Sequence, residues 1–335
     1  TKQESKLVGL VDADLLDGGT RHPNLALMKI AGFLRDNGVN VKLITDDNAD
    51  ISEYAHIFMS KVFTFTEEPR FYRNADKQTR DKFHIGGTGY YANEKSTKKF
   101  KESRAKDMAQ LENDPFLRTL KNSLGGKGIL MDRQMPYYDL YEEYIEKQVE
   151  LGANPDKFKD YQRFSIGFLT RKCYRHCPFC VNRLEKGVVR YSKLEWFHDK
   201  SRPYVYFWDD NFLAAPYDVW KPILQDLIDK KVIFQFRQGL DERQFAENEH
   251  GEEMAEILGI QLSNDYVSCL KDICRYHHER YDGHGYPDGL RAGEIPVSAQ
   301  VVGLADAFDN MVSERTFKHA MSRDEAYDAI TNGEA

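Results

Sequence analysis

Residues 164–182 read FSIGFLTRKCYRHCPFCVN. The apolar run 164–170 has the length and composition of a buried strand. It leads directly into Cys173, Cys177 and Cys180, spaced C-x3-C-x2-C. Thiolates gathered on one tight loop favour soft metals. Three such ligands with His176 would make a zinc site, whereas three alone can hold three corners of an iron–sulfur cluster and leave one iron open. Inert thiols are the third reading. His176 and Cys177 are adjacent, which makes shared tetrahedral ligation awkward, and no second C-x2-C follows at zinc-ribbon spacing. Downstream, YVYFWDDN (204–211) and VIFQFRQGL (232–240) read as further strands, with VWKPILQDLIDKK (219–231) as an amphipathic helix between them. Strands alternating with a helix imply a parallel sheet. Asp209, Asp210 and Asn211 fall at a strand end, where active-site groups of such sheets collect. They are candidates for contacting substrate, and equally for capping a helix.

A similar pattern occupies the N-terminal part. KLVGLVD (6–12) reads as a buried strand, and NLALMKIAGFLRDNG (24–38) as a helix with Leu25, Leu27, Met28, Ile30, Ala31 and Leu34 on one face. Gly38 is its expected stop. VKLIT (41–45) and HIFMSKVF (56–63) read as strands, and IGGTGYY (85–91) closes the segment. Its Gly86 and Gly87 either let a ligand approach the backbone or make a tight turn. Residues 93–127 are rich in Lys, Glu and Asp and read as an exposed helix or an insertion. YYDLYEEYIEKQVELG (137–152) is a further helix.

The bulk properties narrow the classes. The 335 residues are 41% hydrophobic and 30% charged, which is a globular composition. A net charge of -7 argues against general nucleic-acid binding. No apolar run approaches the roughly 20 residues of a membrane span. Five cysteines, three of them clustered, do not form a secreted disulfide framework, so the chain reads as cytoplasmic with reduced thiols.

The cysteine loop, with the aromatic Phe179 before its last cysteine, closely resembles that of radical S-adenosylmethionine enzymes. WDDNF (208–212) and FRQGLDER (236–243) look like the ends of the second and third strands of their barrel. VDADLLDGGTRHPNLALMKI (11–30), SKVFTFT (60–66) and GGTGY (86–90) are similar to the α/β domain that precedes the barrel in a group of these proteins, some of which bind cobalamin. The resemblance implies a [4Fe-4S] cluster on Cys173, Cys177 and Cys180, with Phe179, Gly86 and Gly87 lining cofactor sites. It implies a reducing electron donor, and S-adenosylmethionine cleaved to a 5′-deoxyadenosyl radical that acts on an unknown substrate. Ligation of cobalamin by histidine is not expected, because Asp14 stands where the pattern D-x-H-x-x-G has its histidine.

After Arg243 the strand pattern stops. GEEMAEILG, DYVSCLKDICRYHHERY, SAQVVGLADAFDNMVS and RDEAYDAITN all read as helices. YHHERYDGHGYPDGL (276–290) joins two adjacent histidines to a glycine-rich loop. Imidazoles with carboxylates suit iron, manganese or zinc. This stretch, EIPVSAQVVGLADAFDNM and RTFKHAMSRDEA resemble the HD-GYP family of metal-dependent phosphodiesterases that hydrolyse cyclic di-GMP. The resemblance makes His250, His277, His278 and Asp306 the ligands of a divalent iron or manganese site, at which activated water attacks a phosphodiester. The His-Asp doublet of the family's first half is missing. His198-Asp199 is the only such pair and lies elsewhere, and Gln300 replaces the usual arginine.

The expected fold is therefore α/β: a Rossmann-like open sheet (1–92), a charged helical insertion (93–160), a partial radical-enzyme barrel (161–243) and a partial HD-GYP helical domain (244–335). A barrel of about six strands would continue where the helices begin, so the chain reads as the front of one enzyme joined to the back of another. An unfinished sheet exposes an edge that an oligomer or a partner chain could complete. The leading expectation is radical chemistry. The alternatives are a cyclic di-GMP phosphodiesterase or degenerate nucleotide sensor, and an inactive chimera.

Overall fold

The computed structural model describes residues 7–19, 22–90, 113–125, 129–175, 177, 180, 182, 185–238, 240–260, 264–313 and 320–332. The chain divides into two compact units, Thr1–Leu240 and Asp241–Ala335. The first is mixed α/β with parallel sheets and the second is helical.

Unit 1 opens with β1 (Leu7–Asp12), α1 (Leu25–Asp36), β2 (Val41–Leu43), β3 (Tyr54–Ser60) and β4 (Phe83–Gly86). The four strands form one parallel sheet in the order β2-β1-β3-β4. The apolar run of β1 is continuous because both of its faces are covered. Val8 and Leu10 pack with Leu27, Ile30, Ala31 and Leu34 of α1, while Val11 packs with Ile44, Ile57 and Met59 on the opposite face. The Asn24 side chain caps α1 by accepting from the Leu27 N–H at 3.2 Å. The helix ends just before Gly38, whose φ of +73° suits the left-handed stop expected there. The strand order reverses between β1 and β3, and in open parallel sheets that is where crevices form.

The charged segment is described only in part. Residues 93–112 lie outside the described residues, as do 126 and 127. The described part holds α2 (Pro115–Ser123), which Asp114 caps through the Phe116 and Leu117 N–H groups, both at 3.0 Å. Tyr138–Tyr141 form a tight 3-10 turn that runs into α3 (Glu142–Glu150). The Tyr138 hydroxyl donates to the Phe197 carbonyl at 2.6 Å and accepts from the Ile166 N–H at 2.8 Å, which fastens this turn to the next sheet.

That sheet contains β5 (Phe164–Gly167), β6 (Tyr204–Phe207) and β7 (Phe234–Phe236), parallel and in that order. Between β6 and β7, α4 (Tyr217–Asp229) buries Trp220, Ile223, Leu224 and Leu227, a stripe at i, i+3, i+4 and i+7. Among the described residues these three strands make an open sheet. Three strands are the number expected of the partial barrel, and nothing in their order is specific to a radical-enzyme barrel.

Unit 2 contains α5 (Gly251–Ile257), α6 (Asn264–Tyr276), α7 (Val297–Val312) and α8 (Arg323–Thr331). α6 packs along α7, and α7 against α8. Gly303 permits the close approach of α6 to α7, since a Cβ there would lie 2.5 Å from the His277 carbonyl oxygen. Replacing Gly303→Ala should therefore prise the pair apart at a cost of about 1–3 kcal/mol. Thermal unfolding of the full chain, followed by a probe on unit 2, should show a lower midpoint. An unchanged midpoint would contradict this packing.

Candidate functional site

The cysteine loop follows β5, and acidic groups after β6 hold it. Asp209 is 1% exposed. Its carboxylate accepts from the Leu169 N–H at 3.1 Å, from the Thr170 hydroxyl at 2.6 Å and from the Thr170 N–H. Burial pushes its carboxyl up to about 6, against those hydrogen bonds. Asp210 accepts from the Lys172 N–H and the Asn182 amide, both at 2.8 Å, and lies 3.6 Å from the Arg171 guanidinium. The Asn211 amide reaches the Cys173 sulfur at 3.4 Å. All three residues thus anchor the loop. The sulfurs of Cys173 and Cys180 also accept from the N–H groups of Arg175 and Asn182, at 3.4 and 3.3 Å. Cys173 is buried, and Cys177 and Cys180 are half-buried. Phe179 and His176 lie outside the described residues. Among the described residues, no group of three or more His, Cys, Asp or Glu is placed to hold a metal ion.

Gly86 and Gly87 end β4 beside a cavity of about 390 Å³ that Leu27, Phe58, Ser60, His84 and Asp114 also line. Gly87 has φ +105°, and a Cβ there would meet the Lys61 carbonyl oxygen at 2.2 Å. Glycine is therefore required by the neighbouring loop itself. Sequence reading missed the polar chain on this wall. His84 pairs with Asp114 through Nδ1, and its Nε2 lies 3.1 Å from His56 Nδ1. No motif marks these residues. Only the register of β3 against β4 and the cap of α2 bring them together.

In unit 2, His277 and His278 follow the end of α6, with ring centroids 4.0 Å apart. His277 Nδ1 lies 2.7 Å from the Ile273 carbonyl oxygen. A neutral ring must donate there, which leaves the lone pair on Nε2. Burial lowers the pKa of His278, the field of His277 adds to this, and Asp306 on α7 opposes it. The Asp306 carboxylate accepts from the Asn310 amide at 3.1 Å. His250 sits apart at the start of α5, 3.4 Å from Glu249 and 3.9 Å from Glu253.

The loop after the histidines is built on Glu279. Its carboxylate accepts from the N–H groups of Asp288, Gly289 and Leu290 at 2.7, 3.1 and 3.0 Å. Arg275 grips Asp288 through two bonds of 2.9 and 2.8 Å. Gly285 crosses the Arg280 backbone so closely that a Cβ would meet its nitrogen at 2.2 Å. The Tyr286 ring lies 4.9 Å from that of His278, tilted by 30°. Gln300, in the position where arginine was expected, turns its amide to the Ile295 carbonyl at 2.7 Å. His198 and Asp199 belong to unit 1, where Asp199 accepts from Ser201 and lies 3.8 Å from Arg202.

This loop and its histidine pair fall inside a family match. Residues 240–335 match the HD domain. Over stretches of comparable length, the chain is also similar to several bacterial proteins. It is 42% identical over 67 residues to a probable cyclic di-GMP phosphodiesterase of Vibrio cholerae, covering 20% of this chain and 15% of that protein. It is 49% identical over 59 residues to a cyclic di-GMP phosphodiesterase of Thermotoga maritima, covering 18% and 16%. It is 54% identical over 63 residues to the cyclic di-GMP phosphodiesterase response regulator RpfG of Xanthomonas campestris, covering 19% and 17%. The chain thus spans 15–17% of the length of these relatives.

These matches overturn the leading functional expectation. The similarity they show is to proteins named cyclic di-GMP phosphodiesterases and to the HD domain, and none of it is to S-adenosylmethionine enzymes. Neither the comparisons nor the described geometry supports a [4Fe-4S] cluster, S-adenosylmethionine or a B12-type domain. Physically, Cys173, Cys177 and Cys180 are all described, yet their sulfurs do not gather into one donor set. The HD match is consistent with divalent iron or manganese. As placed, however, His250, His277, His278 and Asp306 do not surround one ion, so they do not by themselves fit such a metal. Among the described residues, no helix is long and apolar enough to cross a membrane.

Proposed function

We propose that the HD segment, as a domain running over 244–335, binds cyclic dinucleotides of the cyclic di-GMP class, as its relatives' names imply for them. The observation that carries this is the hydrogen-bonded loop 279–290 beside the His277–His278 pair, with Asp306 acting on the His278 imidazole. The Ile273 carbonyl orients the His277 ring, and burial holds His278 toward its neutral form. A neutral imidazole at position 278 can accept or relay a proton next to a phosphodiester. The proposed substrate-facing residues are His277, His278 and Asp306, with His250 the outlying member. Because those donors do not close around an ion, binding is the activity expected of this chain alone. Hydrolysis would need further donors.

Calorimetric titration of the full chain with cyclic di-GMP tests this. Saturable binding is expected, with competition by 3′3′-cyclic GMP-AMP. Addition of Mn(II) or Fe(II) should yield little linear dinucleotide. Absence of binding would overturn the proposal, and rapid turnover would overturn its division between binding and hydrolysis.

A further inference from the structure

The helix α7 has the composition of an enclosed helix, yet one of its faces lies open. Two of its sixteen residues are charged, Asp306 and Asp309. A helix that is apolar nearly all round is ordinarily buried. α6 approaches over Gly303, and near the other end the Met321 N–H donates to the Met311 carbonyl at 2.8 Å. On the side turned away from Gly303, Val297 is 75% exposed, Val301 62% and Leu304 52%. Half-buried Phe308 continues the row. Scattered exposed apolar side chains are ordinary on a protein surface, whereas a row aligned along one helix is a contact surface. The intervals from Val297 to Val301, Leu304 and Phe308 alternate four, three and four, which is the seam of a coiled coil.

The borders of the row decide what fits it. Ser298, Gln300, Ala305 and Ala307 flank it, and none is charged. At about 100° per residue, Asp306 lies about 180° round the helix from Val297, and Asp309 about 120°. A charged partner would find no counter-charge here. A second copy of α7 brings the same uncharged row and the same short borders, so two copies meet there without like-charge repulsion, although the chain as a whole carries a net charge of -7. We propose that α7 is a self-association surface on which two copies of the chain pair, seam against seam. The contact is isologous, with the same side chains contributed by both copies. One helix face about 24 Å long is smaller than a standard protein interface, so the pairing is reversible, with a dissociation constant of about 10–100 μM. It does not rest on nucleotide binding by the HD segment.

Sedimentation equilibrium of the full chain, from about 2 to 200 μM, tests this. The apparent mass should rise from one chain to two across that range. Leu304→Glu sets a carboxylate in the seam of each copy and should weaken pairing by about tenfold or more. Val301→Gln adds no charge and should weaken it by about threefold through lost apolar contact. Asp309→Asn lies off the seam and should leave it unchanged. All three positions are exposed, so the variants should keep the helix content and melting midpoint of the unsubstituted chain. Should Leu304→Glu lose helix, Val301→Gln carries the comparison. A single-chain mass at every concentration would overturn the proposal. So would pairing that neither seam substitution weakens, which would assign it to another surface such as an open sheet edge. Growth past two chains would overturn the isologous contact.

Discussion

Raising the pH from 5 to 8 should destabilise unit 1, and Asp12→Asn should remove much of that loss. Asp12 closes β1 at 1% exposure. Its carboxylate accepts from the Tyr141 hydroxyl at 2.9 Å and the Leu15 N–H at 3.3 Å. Burial pushes its carboxyl up to about 7, Asp14 adds to this, and the two hydrogen bonds oppose it. In the unfolded chain the same group titrates near 3.8. Between those values the folded protein holds a proton that the unfolded chain has lost, so stability falls as pH rises through the window. At about 1.36 kcal/mol per pK unit, and with about two units of the window lying above pH 5, the loss between pH 5 and 8 is about 2–3 kcal/mol from Asp12 alone. Asp209, raised to about 6, adds to it in the same direction. Asparagine keeps the shape and an acceptor for Leu15, and the Tyr141 hydroxyl can turn to accept from its amide. The variant should melt on the order of 5–10 °C higher than the unsubstituted chain at pH 8, and at nearly the same temperature at pH 4. A pH slope identical in the two proteins would refute the role given to Asp12.

Removing Glu279 should be the most damaging single change in unit 2. Its two carboxylate oxygens take three consecutive N–H groups, those of residues 288 to 290. Nothing else described satisfies those donors. A hydrogen bond to an ionised acceptor contributes about 1.5–3 kcal/mol where it is sheltered, and less here because the loop is largely exposed. Glu279→Ala should release the turn that carries Tyr286 and Asp288. Binding of cyclic di-GMP should then weaken by more than tenfold, while the helices persist. Glu279→Gln keeps one carbonyl acceptor and should fall between the two. Amide hydrogen exchange reads the loop directly, and residues 288–290 should exchange faster in the alanine variant. Unchanged protection there would count against this account.

Much of the fold was legible in the sequence because local patterns specify it. The 3.6-residue apolar period located α1, α4 and the four helices of unit 2, and the doubly covered β1 appeared as an unbroken apolar run. Gly38 marked its helix end through a conformation that only a few residue types favour. The loop 276–290 stood out because its glycines and paired histidines form a long, specific string. The cysteine string was equally conspicuous, yet spacing alone says only that thiols are close along the chain. Whether their sulfurs converge depends on the loop path. Asp209, Asp210 and Asn211 draw that path toward the sheet, and the three sulfurs do not assemble a donor set.

What only the tertiary structure decided are relations between residues far apart in sequence. Tyr141 and Asp12 are 129 positions apart, so no local pattern could announce the elevated carboxyl at the end of β1. His56, His84 and Asp114 meet because parallel strands stack in register and a capped helix covers their edge. Glu279 carries no local mark of its role, and the N–H groups of residues 288–290 meet it only once the loop has folded. The exposure of Tyr286 likewise depends on how that loop folds back over α6. Periodicity and turn chemistry are properties of neighbours along the chain, and they determined the elements. Burial, protonation and donor geometry are properties of neighbours in space, and folding alone creates them.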